Sequence, residues 1–80
     1  MPTEDQLKWA MAERHALGRR IQGAREQANI RQEALAHKVG VDRRTVQRIE
    51  AGSGNATITT LLLIARALGE PLADLLAERT

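Results

Sequence analysis

The stretch QEALAHKVGVDRRTVQRIEA, Gln32 to Ala51, constrains the fold more than any other part of this sequence. It holds two short helical patterns with almost no linker between them. The first begins at Arg31 or Gln32, buries Leu35, Ala36 and Val39 on one face, and stops at Gly40. The second runs from Arg43 to about Ala51, with Asp42 as its N-cap and Val46 and Ile49 facing inward. Two helices joined this tightly must cross steeply. Ala36 is small where the first has to approach, Gly40 accepts the positive φ of a sharp turn, and Val41 plugs the corner.

The flanking sequence supplies the helices that this pair needs to pack against. Thr3 followed by Gln6 fits a capping box, and Glu4 and Asp5 suit the positive end of a helix beginning about Glu4. Gly18 and Gly23 weaken that helix, so residues 1–16 are either a separate helical extension or the start of one helix reaching Ala28. Leu17, Ile21, Ala24 and Ala28 recur on one face, and Asn29 suits the left-handed stop. After a loop at Gly52–Asn55, Thr57 caps a helix over 58–68 with an expected inward stripe of Ile58, Leu61, Ile64, Ala65 and Leu68. Gly69 ends it, and Pro71 opens a last helix whose Leu72, Leu75 and Leu76 are expected to pack back. The expectation is an all-α, five-helix bundle over 17–80 preceded by the 1–16 extension.

Composition agrees with helices. With no Phe and no Tyr in 80 residues, the core must come from Leu, Ile, Val and Ala. Such a core is marginal, which makes capping, close packing or dimerisation necessary. No cysteine means no disulfide and no thiolate metal site, and no apolar run spans a bilayer. A cytoplasmic, nucleoid-associated location is the expectation.

Charge points to a partner. The net formal charge is only +2, but Gly18 to Arg48 carries eight basic against three acidic residues, between slightly acidic flanks. That is the footprint of a polyanion-binding face, although a solvated helix surface also accounts for it. The outward side chains of the helix after Asp42 decide between the two: Arg43, Arg44, Gln47 and Arg48 all carry long donors. An α-helix fits the major groove of B-DNA, where Arg and Gln make bidentate contacts with base edges.

On these residues, together with LGRRIQGAREQANI before them and NATITTLLLIARALG and PLADLL after them, the chain resembles the phage-repressor and Cro type of helix-turn-helix domain, the XRE family. The match covers roughly Leu17 to Leu76 and extends to the order of five helices. The resemblance implies a lambda-repressor-like fold and a DNA-binding transcriptional regulator, usually a repressor acting as a homodimer on a palindromic operator. It implies base or phosphate contacts for Arg43, Arg44, Thr45, Gln47 and Arg48, a phosphate-holding and buttressing role for Gln32, and backbone contacts along Ser53 to Asn55. Arg31 adjoins Gln32 and is expected to reach a phosphate. Arg25 and Glu50 match a pair that forms a structural salt bridge between the first and third helices. The sequence departs from the family pattern at Asp42, where Ser or Thr is common, in a loop lacking the frequent Lys or Arg, and at Ala56, where Pro is common.

Other candidates carry less. Arg19 and Arg20 either reach phosphates or solubilise their helix, and Lys38 is read as solvated. His15 and His37 lie far apart without a ligand cluster, so no metal or cofactor is expected. Thr45 has no acid–base partner at sensible spacing, and nothing indicates an enzyme. Trp9 and Met11 are read as packing residues. Leu63 and Ala67 fall on a face of the fourth helix that the core does not need, and with Pro71 they are candidates for a homodimer interface. Residues 1–16 are a candidate surface for a protein partner, as in a DNA-binding antitoxin. A protein-interaction module that has lost DNA is the third class.

Overall fold

The computed structural model describes residues 1–77, and these contain five helices and no strand. α1 spans Glu4–Gln27, α2 Gln32–Val39, α3 Arg43–Glu50, α4 Ile58–Leu68 and α5 Leu72–Leu76. The last three residues lie outside the described part.

α1 begins with the capping box. The Thr3 hydroxyl oxygen accepts from the Gln6 N–H at 3.1 Å, and Gln6 Oε1 accepts from the Thr3 N–H at 2.8 Å. The helix passes Gly18 and Gly23 without a break, and at about 1.5 Å per residue it accounts for the 37 Å longest dimension of the molecule. Gly18 is buried for a packing reason. A Cβ there would sit 2.5 Å from the carbonyl oxygens of Ile49 and Glu50, so the missing side chain lets the end of α3 press onto α1. The helix ends where expected, with Asn29 at φ 57°.

The steep α2–α3 crossing depends on Gly40, at φ 83°. Its N–H and that of Val41 both donate to the Ala36 carbonyl, at 2.9 and 3.0 Å, which closes α2 within two residues. α3 then starts on Asp42 and α4 on Thr57, each accepting from the N–H three residues on.

All five helices contribute to one core. Ile21, Leu35, Val46, Ile64 and Leu75, one from each helix, are fully enclosed. Truncating one such aliphatic side chain to Ala costs about 2–5 kcal/mol.

Several expected core positions are exposed instead. Ile58 is 73 % exposed: it stands at the first position of α4, one turn before the first residue to touch the core, Leu61. Leu76 is 53 % exposed, because α5 is one turn long and turns only Leu72 and Leu75 inward. Ala28, at the cap of α1, is exposed. Trp9 and Met11 are not packing residues: they are 67 % and 50 % exposed. From Glu4 to His15 only Ala10 is even half-buried, whereas beyond residue 16 Gly18, Ile21 and Arg25 are buried.

Candidate nucleic-acid interface

With Val46, Ile49 and Glu50 buried, the opposite side of α3 carries Arg43, Arg44, Gln47 and Arg48, all exposed. Among the described residues none of these side chains makes an internal hydrogen bond, so their donors face solvent on one helix surface. Thr45 is half-buried, and its hydroxyl donates to Asp42 Oδ1 at 2.8 Å, the atom that also accepts from its own N–H at 2.8 Å. These bonds hold the Asp42 carboxyl below its ordinary pKa, the hydroxyl contributing most and the N–H next, with weaker attraction from Arg44 and Arg48. The negative charge beside the exposed arginines of α3 is thus committed to capping.

Behind α3 lies a three-residue network. Arg25 Nε donates to Glu50 Oε2 at 2.6 Å and Nη2 to Glu50 Oε1 at 3.1 Å, a bidentate pair with side chains 11 % and 4 % exposed. Arg25 Nη1 donates to the Ile30 carbonyl at 2.9 Å, so one guanidinium ties α1, the turn after it and α3 together. The Glu50 hydrogen bond holds Arg25 still more firmly in its charged form. The expected structural pair is therefore present. Gln32 Nε2 also donates to Glu50 Oε1, at 2.9 Å, which orients the start of α2. Sequence reasoning had no signal for that third member, since a bond spanning 18 residues leaves no local pattern. Gln32 is half-buried beside exposed Arg31, and the two share a shallow cleft with Arg25, Glu33 and Arg43.

The loop after α3 continues the same surface. The Ser53 N–H and hydroxyl both donate to the Arg48 carbonyl, at 2.8 and 3.2 Å. Thr45, Arg48, Ser53 and Asn55 line one hollow. Asn55 Oδ1 and the Gly54 carbonyl accept from Arg14 Nη1, at 3.2 and 3.3 Å, a link from α1 that the sequence did not signal.

Two further groups lie elsewhere. Leu63, 39 % exposed, and half-buried Ala67 share a surface with Lys38 and Arg66, while exposed Pro71 stands at the N-cap of α5. Leu62, missed by the sequence reading, is 51 % exposed on the same helix. Among the described residues no three His, Cys, Asp or Glu side chains are grouped as metal ligands, and no helix is long and apolar enough to cross a membrane.

Comparison with known proteins agrees with this geometry. The restriction-modification controller protein C.AhdI of Aeromonas hydrophila superimposes with a TM-score of 0.77 at 31 % identity, over 80 % of this chain and 97 % of that one. Two structures of the clp gene regulator ClgR of Corynebacterium glutamicum give a TM-score of 0.77 at 26 % identity, over 80 % of this chain and 68 % and 82 % of those. Comparison with curated proteins gives no match. Residues 21–75 match the helix-turn-helix family model, so the chain belongs to the XRE-type helix-turn-helix family: it is a DNA-binding transcriptional regulator and not an enzyme.

Proposed function

We propose that this regulator is a repressor that binds a palindromic operator as a homodimer, with α3 of each copy in the major groove. The observation that carries this reading is the outward face of α3, where Arg43, Arg44, Gln47 and Arg48 stand exposed over a buried, hydrogen-bonded anchor. Arginine matches the two acceptors on guanine, so the half-sites contain guanines. Arg31, Gln32, Ser53 and Asn55 hold the flanking phosphates, and half-buried Thr45 lines the edge of the same surface. These contacts fix register while α3 reads sequence. Occupancy of a promoter then excludes polymerase, an action on the nucleoid that needs no effector domain.

The dimer surface is the outer face of α4, where Leu63 and Ala67, with Pro71 beyond, are joined by Leu62 and Ile58. Three large apolar side chains in water on a domain this small favour a second copy. A dimer sets the reading helices roughly 34 Å apart on one side of the duplex. Control of a restriction–modification system is the role named for C.AhdI, and it is a candidate role for this regulator.

Selection from a pool of random duplexes, sequenced at two salt concentrations, tests the reading. A two-fold motif with guanine-containing half-sites is expected. Salt-sensitive binding without a motif points to an architectural role, and no binding at low salt leaves only a protein-interaction module. The exposed Leu7, Trp9 and Met11 support a protein partner on residues 1–16, as in an antitoxin. Replacing Leu7, Trp9 and Met11 with Ser should then abolish partner capture and spare DNA binding.

A further inference from the structure

The loop between α3 and α4 adjoins the proposed DNA-facing surface, yet residues 52–57, Gly-Ser-Gly-Asn-Ala-Thr, carry no cation. One is delivered from elsewhere in the chain. Arg14, exposed on α1 and forty residues earlier than Gly54, donates through Nη1 to the Gly54 carbonyl oxygen and to Asn55 Oδ1. Both bonds use the same nitrogen, so Nε and Nη2 keep their three donors. On the other side of the loop a Cβ on Gly54 would meet Arg48 Cβ at 3.7 Å and Cδ at 3.9 Å. The Gly54–Asn55 segment is therefore held between two arginines, Arg48 from the outward face of α3 and Arg14 from α1.

The packing beneath makes this placement firm. Gly52 is buried against the next residue of α1: a Cβ there would come within 2.8 Å of His15 Cα. α1 thus backs the loop directly, and Arg14 is the side chain that reaches over it. Accepting from Arg14 also fixes the Asn55 amide, since only its oxygen pairs with a guanidinium, and the two Nδ2 donors turn away from Arg14.

We infer that Arg14 is a DNA-backbone contact, a guanidinium that α1 sets beside the Gly54–Asn55 loop to bind one phosphate while it orients Asn55. This inference rests on α3 being the DNA-facing helix. A guanidinium with free donors in a fork suits a phosphate oxygen pair, and the two arginines bracketing the loop continue the positive surface of α3 beyond its end. The assignment gives the first three turns of α1 a part in DNA binding, although their apolar side chains lie outside the core.

Fluorescence anisotropy with a labelled duplex of mixed sequence, across a salt series, tests it. Neutralising one phosphate contact changes the slope of log K against log salt by about one, which a purely structural role leaves unmoved. Arg14→Gln should flatten the slope by that amount, Arg14→Lys should restore it, and Lys8→Gln, which removes a charge elsewhere on α1, should leave it alone. Arg14 is exposed, so the variants are expected to melt as the wild type does. A wild-type slope in Arg14→Gln overturns the phosphate contact, even if affinity falls through a loosened loop. Equal flattening by Lys8→Gln overturns it too, because net charge would then suffice. Arg44→Ala/Arg48→Ala separates the two readings: if that pair weakens binding while Arg14→Gln keeps the slope, only the Arg14 assignment fails, and if that pair has no effect, the reading of α3 fails first.

Discussion

α3 and α4 share a plan and turn opposite chemistries to the solvent. Each starts at an N-cap whose side chain accepts from the N–H three residues on, and each buries apolar side chains in one core, Val46 and Ile49 from α3, Ile64 and Ala65 from α4. Outward, α3 shows three arginines and a glutamine, whereas α4 shows mainly Ile58, Leu62 and Leu63, with Thr59 and Arg66 beside them. The core dictates only the inward stripe. The outer face is free to suit whatever the helix meets. Long cations in water cost nothing and attract phosphate, while exposed aliphatic surface forfeits about 25 cal/mol per Å² until something covers it. Under the proposed function, one helix meets nucleic acid and the other a second copy of the chain.

The comparison breaks most severely if α3 loses its anchor. Glu50→Ala leaves the Arg25 guanidinium buried beside Gln32 without its carboxylate, while the outward faces of both helices are untouched. Removing one member of a buried pair costs about 3–5 kcal/mol, a clear drop in the urea midpoint. Unchanged stability would mean that apolar contacts alone fix α3.

Two surface substitutions sharpen the contrast. Arg44→Ala should cost about 1–3 kcal/mol of discrimination between a selected motif and random DNA, with the melting curve unmoved. An unchanged specificity ratio removes Arg44 from the base-reading set. On α4, Leu62→Lys should weaken self-association roughly tenfold, or about 1.4 kcal/mol, in sedimentation equilibrium. Leu62 is half exposed, so folding should not suffer. A variant that dimerises like the wild type places the interface elsewhere.

The two helices also differ in how legible they were. α3 was read almost completely, because its cap, its inward Val46 and Ile49 and its polar face are local chemistry repeated at helical spacing. The Arg25–Glu50 pair needed the family resemblance, since nothing local joins residues 25 apart. α4 was read less well. Periodicity assigns a residue to a side of a helix, but neighbouring helices decide how far along that side the core extends, and it ends at Leu61 rather than Ile58. Leu62 escaped notice beside Leu63 for the same reason, an apolar run offering no contrast between faces. Arg14 and its loop contact, across forty residues, were invisible to any local pattern.

The smallest expected difference lies in the caps themselves. α3 is capped by a carboxylate and α4 by a hydroxyl, so only the first responds to pH. Asp42 has its pKa lowered in the folded chain, chiefly by the Thr45 hydroxyl and N–H. A depressed carboxyl stabilises the folded state above its unfolded pKa of about 3.9, and the contribution disappears as pH falls through the lower folded value. Amide exchange, corrected for its intrinsic pH dependence, should therefore show Thr45 losing protection in acid while Thr60, bonded to the Thr57 hydroxyl oxygen at 3.0 Å, holds. Parallel loss at both amides would indicate global acid unfolding, and a flat Thr45 would mean that the carboxylate is not what holds the turn. Asp42→Asn separates charge from capping: the carboxamide oxygen accepts the same bond without titrating, so α3 should stay capped and its pH dependence should vanish.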